Sequence, residues 1–112
     1  MSSEVFFALA DPTRRQIIEI LAERGSGTAT ALASELDITR QAVAKHLALL
    51  AAAGLASGKK VGRETRFAPQ PEALTEVIDW VAKVEGEWKS RLSQLAETAV
   101  NNSTIQQPPA AQ

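Results

Sequence analysis

The first quarter of the chain has a pattern typical of two helices. An apolar stretch at residues 5–10 predicts the first of them. Asp11-Pro12 predicts the start of the second, because Asp can accept free backbone N–H groups and Pro fits the first helical position. Apolar residues then recur at helical spacing up to Gly25, which predicts that this helix ends near residue 24.

Two further helices are predicted, and they are joined by a tight turn. Thr30 and Thr39 are the predicted N-caps, so the helices should span residues 31–37 and about 40–53. The second helix has an apolar stripe at i, i+4 and i+7: Val43, Leu47 and Leu50. Two helices in this arrangement predict a helix-turn-helix, in which the second helix enters the major groove of DNA.

The pattern changes after the Gly54 that ends this recognition helix. Residues 55–61 and 64–68 read as two strands with Gly62-Arg63 at their tip, which predicts a small hairpin. Helical spacing then returns and predicts one long helix over residues 72–100. The predicted fold class is therefore mainly α with a small β-hairpin: a winged helix-turn-helix with a long C-terminal dimerisation helix.

The long helix carries an apolar seam at spacings of three and four residues. At the standard rise it would be about 43 Å long, too long for so small a domain to cover. We expect the seam to pack on a second copy of the chain, together with aromatic residues of the first helix. The predicted dimer-interface residues are Phe6, Phe7, Val77, Val81, Val84, Trp88, Leu92 and Leu95. A core role for Trp80 and Trp88, or a ligand pocket beside them, is the alternative.

Length and composition fit one domain. Residues 1–100 are predicted to form a single DNA-binding and dimerisation domain. Residues 101–112, rich in Asn, Gln, Pro and Ala, are predicted to be a disordered tail. The sequence has no cysteine, no apolar run long enough to span a membrane and no signal peptide at its start. A cytoplasmic protein without a membrane partner is expected.

Charge is unevenly distributed along the chain. The net charge is −1, yet residues 39–66 contain six basic residues and one acidic residue, while the segments on either side are acidic. A basic block of this kind indicates a surface for nucleic acid.

The basic block supplies the candidate DNA-binding residues. Arg can bond guanine and Gln can bond adenine in the major groove, while a small Ala allows contact with a thymine methyl group. The predicted recognition-helix contacts are Thr39, Arg40, Gln41, Ala44 and Lys45. On the wing, basic residues would meet phosphates or the minor groove. The predicted wing contacts are Lys59, Lys60, Arg63 and Arg66.

Four segments occur in a characteristic order: residues 11–18 DPTRRQII, 39–47 TRQAVAKHL, 53–55 AGL and a Gly-Arg pair in the wing. This series, spread over residues 5–99, resembles the ArsR/SmtB-type family of bacterial winged-helix repressors. The resemblance implies a homodimer that occupies an operator, often near its own gene, and leaves it on a signal. It also implies a structural or phosphate-contacting role for His46.

Many members of that family sense metals through cysteines at the start of the recognition helix or through Asp and His pairs on the last helix. This chain has no cysteine, and residues 72–100 contain no histidine. Carboxylates without imidazole partners are poor ligands for transition metals. We therefore expect no metal site and no cofactor, as in the metal-free branch of the family.

The predicted function is a sequence-specific DNA-binding transcriptional regulator: a homodimeric repressor of an inverted-repeat operator, which can be the operator of its own gene. The partners are double-stranded DNA and a second copy of the chain, and the sequence identifies no small-molecule effector. A winged-helix module that binds protein instead of DNA is the alternative. No enzyme is predicted, because neither a nucleophile–histidine–carboxylate set nor a cofactor loop is present.

Two arginines in the second helix have two interpretations. Arg14 and Arg15 can be solvated and paired with Glu19 or Glu23 at helical spacing. Alternatively, one of them points at the recognition helix or at a phosphate.

Overall fold

The computed structural model describes residues 3–102 of the chain. The chain divides into two compact units, Met1–Val77 and Ile78–Gln112. The elements, in chain order, are α1 Ser3–Leu9, α2 Pro12–Arg24, β1 Gly27–Thr28, α3 Ala29–Leu36, α4 Arg40–Ala52, β2 Ala56–Val61, β3 Glu64–Pro69, a 3₁₀ turn at Pro71–Leu74, and α5 Thr75–Asn102. This order confirms the predicted fold class. The single domain expected over residues 1–100 stays a prediction.

Helix α2 has the ends that the sequence predicts. Pro12 is its first residue, and the Asp11 carboxylate accepts the backbone N–H of Arg14 at 3.0 Å. Gly25 adopts a left-handed conformation with φ 88°, and its N–H donates to the Leu21 carbonyl at 2.7 Å. Both caps satisfy backbone groups that a helix end leaves free, so local chemistry fixes this helix.

Helix α3 begins two residues before its predicted start, and the prediction of Thr30 as its N-cap was wrong. The cap is Thr28, whose hydroxyl accepts the backbone N–H of Ala31 at 3.2 Å. Thr28 is extended because it pairs with Arg66 between β1 and β3. The helix therefore starts where the strand pairing ends, and Thr30 lies in its first turn.

The turn from α3 to α4 is tight. Asp37 takes a left-handed conformation with φ 57°, which Asp tolerates better than most residues. The N–H of Ile38 then donates to the Ala33 carbonyl at 3.2 Å. Thr39 caps α4 by accepting the N–H of Ala42 at 3.0 Å, which confirms the predicted cap. The two helices form the predicted helix-turn-helix.

The sheet has one strand more than the predicted hairpin. Its order is β1-β3-β2, and both pairings are antiparallel. Gly58 lies opposite Phe67 in the β2–β3 pairing. A Cβ on Gly58 would come within 2.9 Å of the Phe67 ring and of the Thr65 methyl group. Glycine is therefore needed here to let these two side chains cross the strand.

The core of the first unit is built from every helix of that unit and from the start of the wing. The apolar stripe of α4 lies at its centre, fully buried. The buried residues of the cluster are Val5, Ala8, Ile17, Leu21, Leu32, Val43, Leu47, Leu50, Ala53, Leu55 and Ala56. Phe67 of the wing and Val77 at the start of α5 are half-buried against this cluster. The wing and the recognition helix are thus anchored on one core.

Helix α5 begins at Thr75 and not at residue 72, because Pro71–Leu74 forms a 3₁₀ turn. It runs to Asn102, two residues beyond the predicted boundary. The remainder of the predicted tail, residues 103–112, lies outside the described residues. Within the described part of the chain, no helix is both long and apolar enough to cross a membrane.

Candidate nucleic-acid interface

The start of α4 presents the predicted recognition residues together. All five of them are exposed: Thr39, Arg40, Gln41, Ala44 and Lys45. On the opposite side of the helix, Val43, Leu47 and Leu50 are fully buried. Helical spacing thus places the polar side chains on one face and the anchors on the other. The exposure expected from the sequence is confirmed.

Arg40 is held by a contact that bridges the two helices of the helix-turn-helix. Its Nε donates to the Thr30 hydroxyl in the first turn of α3, at 3.1 Å. Because Thr28 supplies the helix cap, the Thr30 hydroxyl is available for this bond. The guanidinium is therefore tied to the body at Nε, at the N-terminal end of the recognition helix.

Two of the four basic wing residues lie beside α4. Lys60 pairs with Thr65 and shares the sheet face of Phe67, which packs against the core. An open cleft of about 290 Å³ separates this face from α4. Its lining residues are Ala29, Arg40, Ala44, Leu47, Lys60, Arg63, Glu64, Thr65 and Phe67. The structure thus brings Lys60 and Arg63 together with Arg40 and Ala44.

The other two basic wing residues belong to the opposite face of the sheet. Lys59 lies directly across from Arg66 in the β2–β3 pairing. The Nη1 of Arg66 donates to the Ser26 hydroxyl at 3.0 Å. Arg66 therefore ties the wing to the segment before β1, and neither residue lines the cleft beside α4.

Arg14 is buried, with only 7% of its surface exposed, so the solvated, ion-paired interpretation was wrong for this residue. Its Nε donates to the Ala8 carbonyl at 2.8 Å and its Nη2 to the Phe7 carbonyl at 3.0 Å. Its Nη1 lies 3.4 Å from Nδ1 of His46 on α4. The alternative interpretation, an arginine directed at the recognition helix, describes Arg14.

The neighbouring Arg15 is exposed and contacts the C-terminal end of α1. Its Nη1 donates to the Leu9 carbonyl at 2.6 Å. Two adjacent arginines thus have different environments, and helical spacing explains the difference because neighbouring positions are about 100° apart around the axis.

Comparison with known proteins agrees with this geometry. Residues 9–57 match a family profile described as a helix-turn-helix domain. An ArsR-like transcriptional regulator from Rhodococcus sp. RHA1 is 38% identical in sequence, and its structure superposes with a TM-score of 0.74. The match covers 87% of this chain and 91% of that regulator. The chain belongs to the ArsR family.

Two further relatives support this membership. The transcriptional repressor SdpR of Bacillus subtilis is 30% identical over 79 residues, which cover 70% of this chain and 87% of SdpR. A homodimeric winged helix-turn-helix DNA-binding domain from Mycobacterium bovis, a possible ArsR-family regulator, is 25% identical with a TM-score of 0.60. That match covers 76% of this chain and 78% of the domain. The chain is thus a DNA-binding transcriptional regulator of the ArsR family.

This ArsR-family chain lacks the thiolate ligands that bind transition metals. The sequence contains no cysteine and one histidine. Within residues 3–102, no three or more His, Asp and Glu side chains lie close enough together to hold a metal ion.

Sequence reasoning missed Thr30 as part of this ArsR-family site. Thr28 and Thr30 both precede an apolar helical segment, and either hydroxyl is a suitable N-cap. The only signal that favours Thr28 is its pairing with β3, almost forty residues further along the chain. The pattern around residue 30 does not contain this signal.

Proposed function

We propose that the chain is a homodimeric transcriptional repressor that binds an inverted-repeat operator, which can include its own promoter. The observation that carries the proposal is the cleft between α4 and the wing. The exposed start of α4 forms one wall and Lys60 and Arg63 contribute to the other. A polar helix face next to wing cations suits the major groove and its flanking phosphates.

Each recognition residue has a role that fits its chemistry. Arg40 would donate two hydrogen bonds to guanine, and Gln41 would pair with adenine. Ala44 would contact a thymine methyl group. Thr39 and Lys45 would bind phosphates or base edges, and Lys60 and Arg63 would bind phosphates beside the groove. Membership of a family of transcription regulators supports a regulator and not an enzyme.

The proposed dimer uses the apolar stripe of α5. Its large side chains are strongly exposed, with Trp88 at 68% and Leu92 at 64%. The other exposed apolar residues of this helix that share the stripe are Val81 and Leu95. Exposed apolar stripes on long helices are typical of helix–helix association. The homodimeric Mycobacterium bovis relative supports a second copy of this chain as the occupant.

A two-fold dimer would present two recognition helices to one face of DNA. The proposed operator therefore has half-sites about 34–36 Å apart, one turn of the double helix. Repression is supported by the name of the SdpR relative, which is a transcriptional repressor.

The test is a mobility-shift assay with DNA from the region upstream of the gene, against random competitor, at two salt concentrations. We expect salt-sensitive binding by a dimer that prefers the upstream DNA. If binding is no better than to random DNA, selection from a random library follows. Failure to enrich any sequence there would overturn the proposal and favour the protein-binding alternative.

A further inference from the structure

We propose that Thr30 is a positioning residue that sets Arg40 for end-on recognition of one guanine in each half-site. This inference rests on the proposed function and deepens it. The observation behind it is the 3.1 Å hydrogen bond from Arg40 Nε to the Thr30 hydroxyl. Thr30 is exposed and belongs to α3, so it restrains Arg40 from outside the recognition helix.

The bond determines which edge of the guanidinium is available. Arginine has five N–H donors, one on Nε and two on each terminal nitrogen. When Nε–H is bonded to Thr30, the side edge formed by Nε and one terminal nitrogen is blocked. The end edge, formed by both terminal nitrogens, still offers two parallel N–H groups. That pair matches O6 and N7 of guanine.

The restraint also reduces the entropy lost on binding. A free arginine samples many rotamers, and fixing a long side chain at an interface opposes association. Arg40 is already held in the free protein, so less of this freedom is lost when DNA binds. Immobilising one such side chain corresponds to a factor of roughly two to ten in affinity. This gain in affinity applies only where Arg40 contacts its base. It therefore increases sequence specificity and not the affinity for DNA of any sequence.

The decisive variant is Thr30→Val, which keeps the β-branched shape and removes the acceptor. Thr30→Ser restores the hydroxyl, and Ser34→Ala, one turn further along the same helix, removes an exposed hydroxyl that does not accept the Arg40 bond. Sites are first selected from a random library by the unaltered homodimer, and Arg40→Ala identifies the guanine that Arg40 reads. Each variant is then titrated with the selected site, with the same site carrying adenine at that position, and with random DNA.

We expect Thr30→Val to weaken binding to the selected site about two- to tenfold, from the same restraint argument. It should leave the affinity for random DNA unchanged and reduce the preference for guanine over adenine. Thr30→Ser should recover the affinity for the selected site and the preference for guanine, and Ser34→Ala should change neither quantity. Adding Thr30→Val to Arg40→Ala should cause no further loss of affinity. Equal weakening on selected and random DNA would show that Thr30 itself meets a phosphate, and would overturn the inference.

Two other results separate this inference from the proposed function. The positioning role of Thr30 is overturned if Thr30→Val keeps the full preference for guanine. It is also overturned if Arg40→Ala alters the base preference at no position of the site. Neither result contradicts the proposed function as a DNA-binding regulator. If the unaltered protein selects no sequence at all, the proposed function fails, and the inference fails with it.

Discussion

Arg14 connects the end of α1 to the recognition helix. Its guanidinium donates to the carbonyls of Phe7 and Ala8 and lies beside His46 of α4. It also lies over the Phe7 ring, 5.2 Å from the ring centre. Carbonyls at a helix C-terminus carry partial negative charge, so they are suitable partners for a buried cation. Arg14 therefore adds polar contacts between α1 and α4 to the apolar packing of Val5 and Ala8 in the core.

Replacing Arg14 with Met tests this connection. Met keeps much of the apolar stem but removes the donor of the Ala8 carbonyl, whereas the Phe7 carbonyl still accepts the backbone N–H of Ala10 at 3.2 Å. An unsatisfied buried polar group costs about 1–3 kcal/mol, so we expect the free energy of unfolding to fall by about that amount. Urea denaturation at fixed protein concentration measures it. The matched control, Arg15→Met, removes the bond to the Leu9 carbonyl, but this bond is exposed and water can replace the donor, so the loss should be smaller than for Arg14→Met. Equal losses in both variants would contradict the assignment.

Asp11 gives the protein a pH-dependent helix cap. The backbone N–H of Arg14 is the main cause that lowers the pKa of the Asp11 carboxyl below its ordinary 3.8, with a smaller opposing effect of desolvation. A lowered folded-state pKa means that the cap stabilises fully above about pH 4 and loses this contribution as the pH falls through the folded-state value. Asp11→Asn keeps a capping side chain without a titrating group.

We therefore expect the difference in unfolding free energy between the unaltered protein and Asp11→Asn to be constant from pH 7 to about pH 5. Below about pH 4 it should shift against the unaltered protein, and denaturation series at several pH values measure it. A difference that does not change with pH would show that the carboxylate charge adds nothing to this cap.

The two faces of the wing have different surroundings in the structure. Alternation along β2 places Lys60 on the face of α4 and Lys59 on the other. Gly58 sets this geometry, because Phe67 and Thr65 lie where its side chain would be. The wing is thereby held against the core through Phe67, and the proposed DNA interface uses only the face that it shares with Lys60.

Lys60→Ala and Lys59→Ala form a matched pair that tests this separation. Loss of one phosphate contact reduces the slope of binding against salt by about one. We expect this reduction, with weaker binding to selected and random DNA alike, for Lys60→Ala and a smaller effect for Lys59→Ala. Titrations over a salt series measure both slopes. Equal slopes in the two variants would mean that the sheet face does not determine which lysine meets DNA.

At the scale of the whole molecule, the α5 stripe determines the proposed assembly. Two ion pairs, Lys83–Glu87 at 3.6 Å and Glu85–Lys89 at 3.4 Å, join charges four residues apart. By helical spacing these pairs flank the apolar stripe, the arrangement that amphipathic association helices commonly have. Such exposed pairs contribute little stability, so in the proposed dimer the apolar residues between them would supply most of the association energy.

Trp88→Glu places a charge in the middle of this stripe. A central aromatic residue at an interface is commonly worth at least 2 kcal/mol, so we expect the dissociation constant of the dimer to rise about 30-fold or more. Analytical ultracentrifugation over a concentration series measures it, and operator binding should weaken in parallel. The control, Ser90→Glu, adds the same charge on the other side of α5 and should leave the dimer intact. If Trp88→Glu leaves the dissociation constant of the dimer unchanged, the α5 stripe is not part of the dimer interface.

The sequence by itself determined the features that depend on neighbouring residues. Asp11-Pro12 starts α2, Thr39 starts α4, and the stripe at i, i+4 and i+7 selects the buried face of α4. These signals lie within a few residues of their effects, because caps and helical faces are set by local hydrogen bonds and by the helical period. The exposed face of the recognition helix follows from them without knowledge of the fold.

The tertiary structure alone decided the features that depend on distant partners. The pairing of Thr28 with Arg66 moves the helix cap and releases Thr30 for Arg40. The carbonyls of α1 and the ring of His46 bury Arg14. The packing of Phe67 on the core determines which face of the wing lies beside α4. Strand alternation alone does not distinguish the two faces. Each of these contacts joins segments that local propensity treats as independent, so only the folded chain selects them.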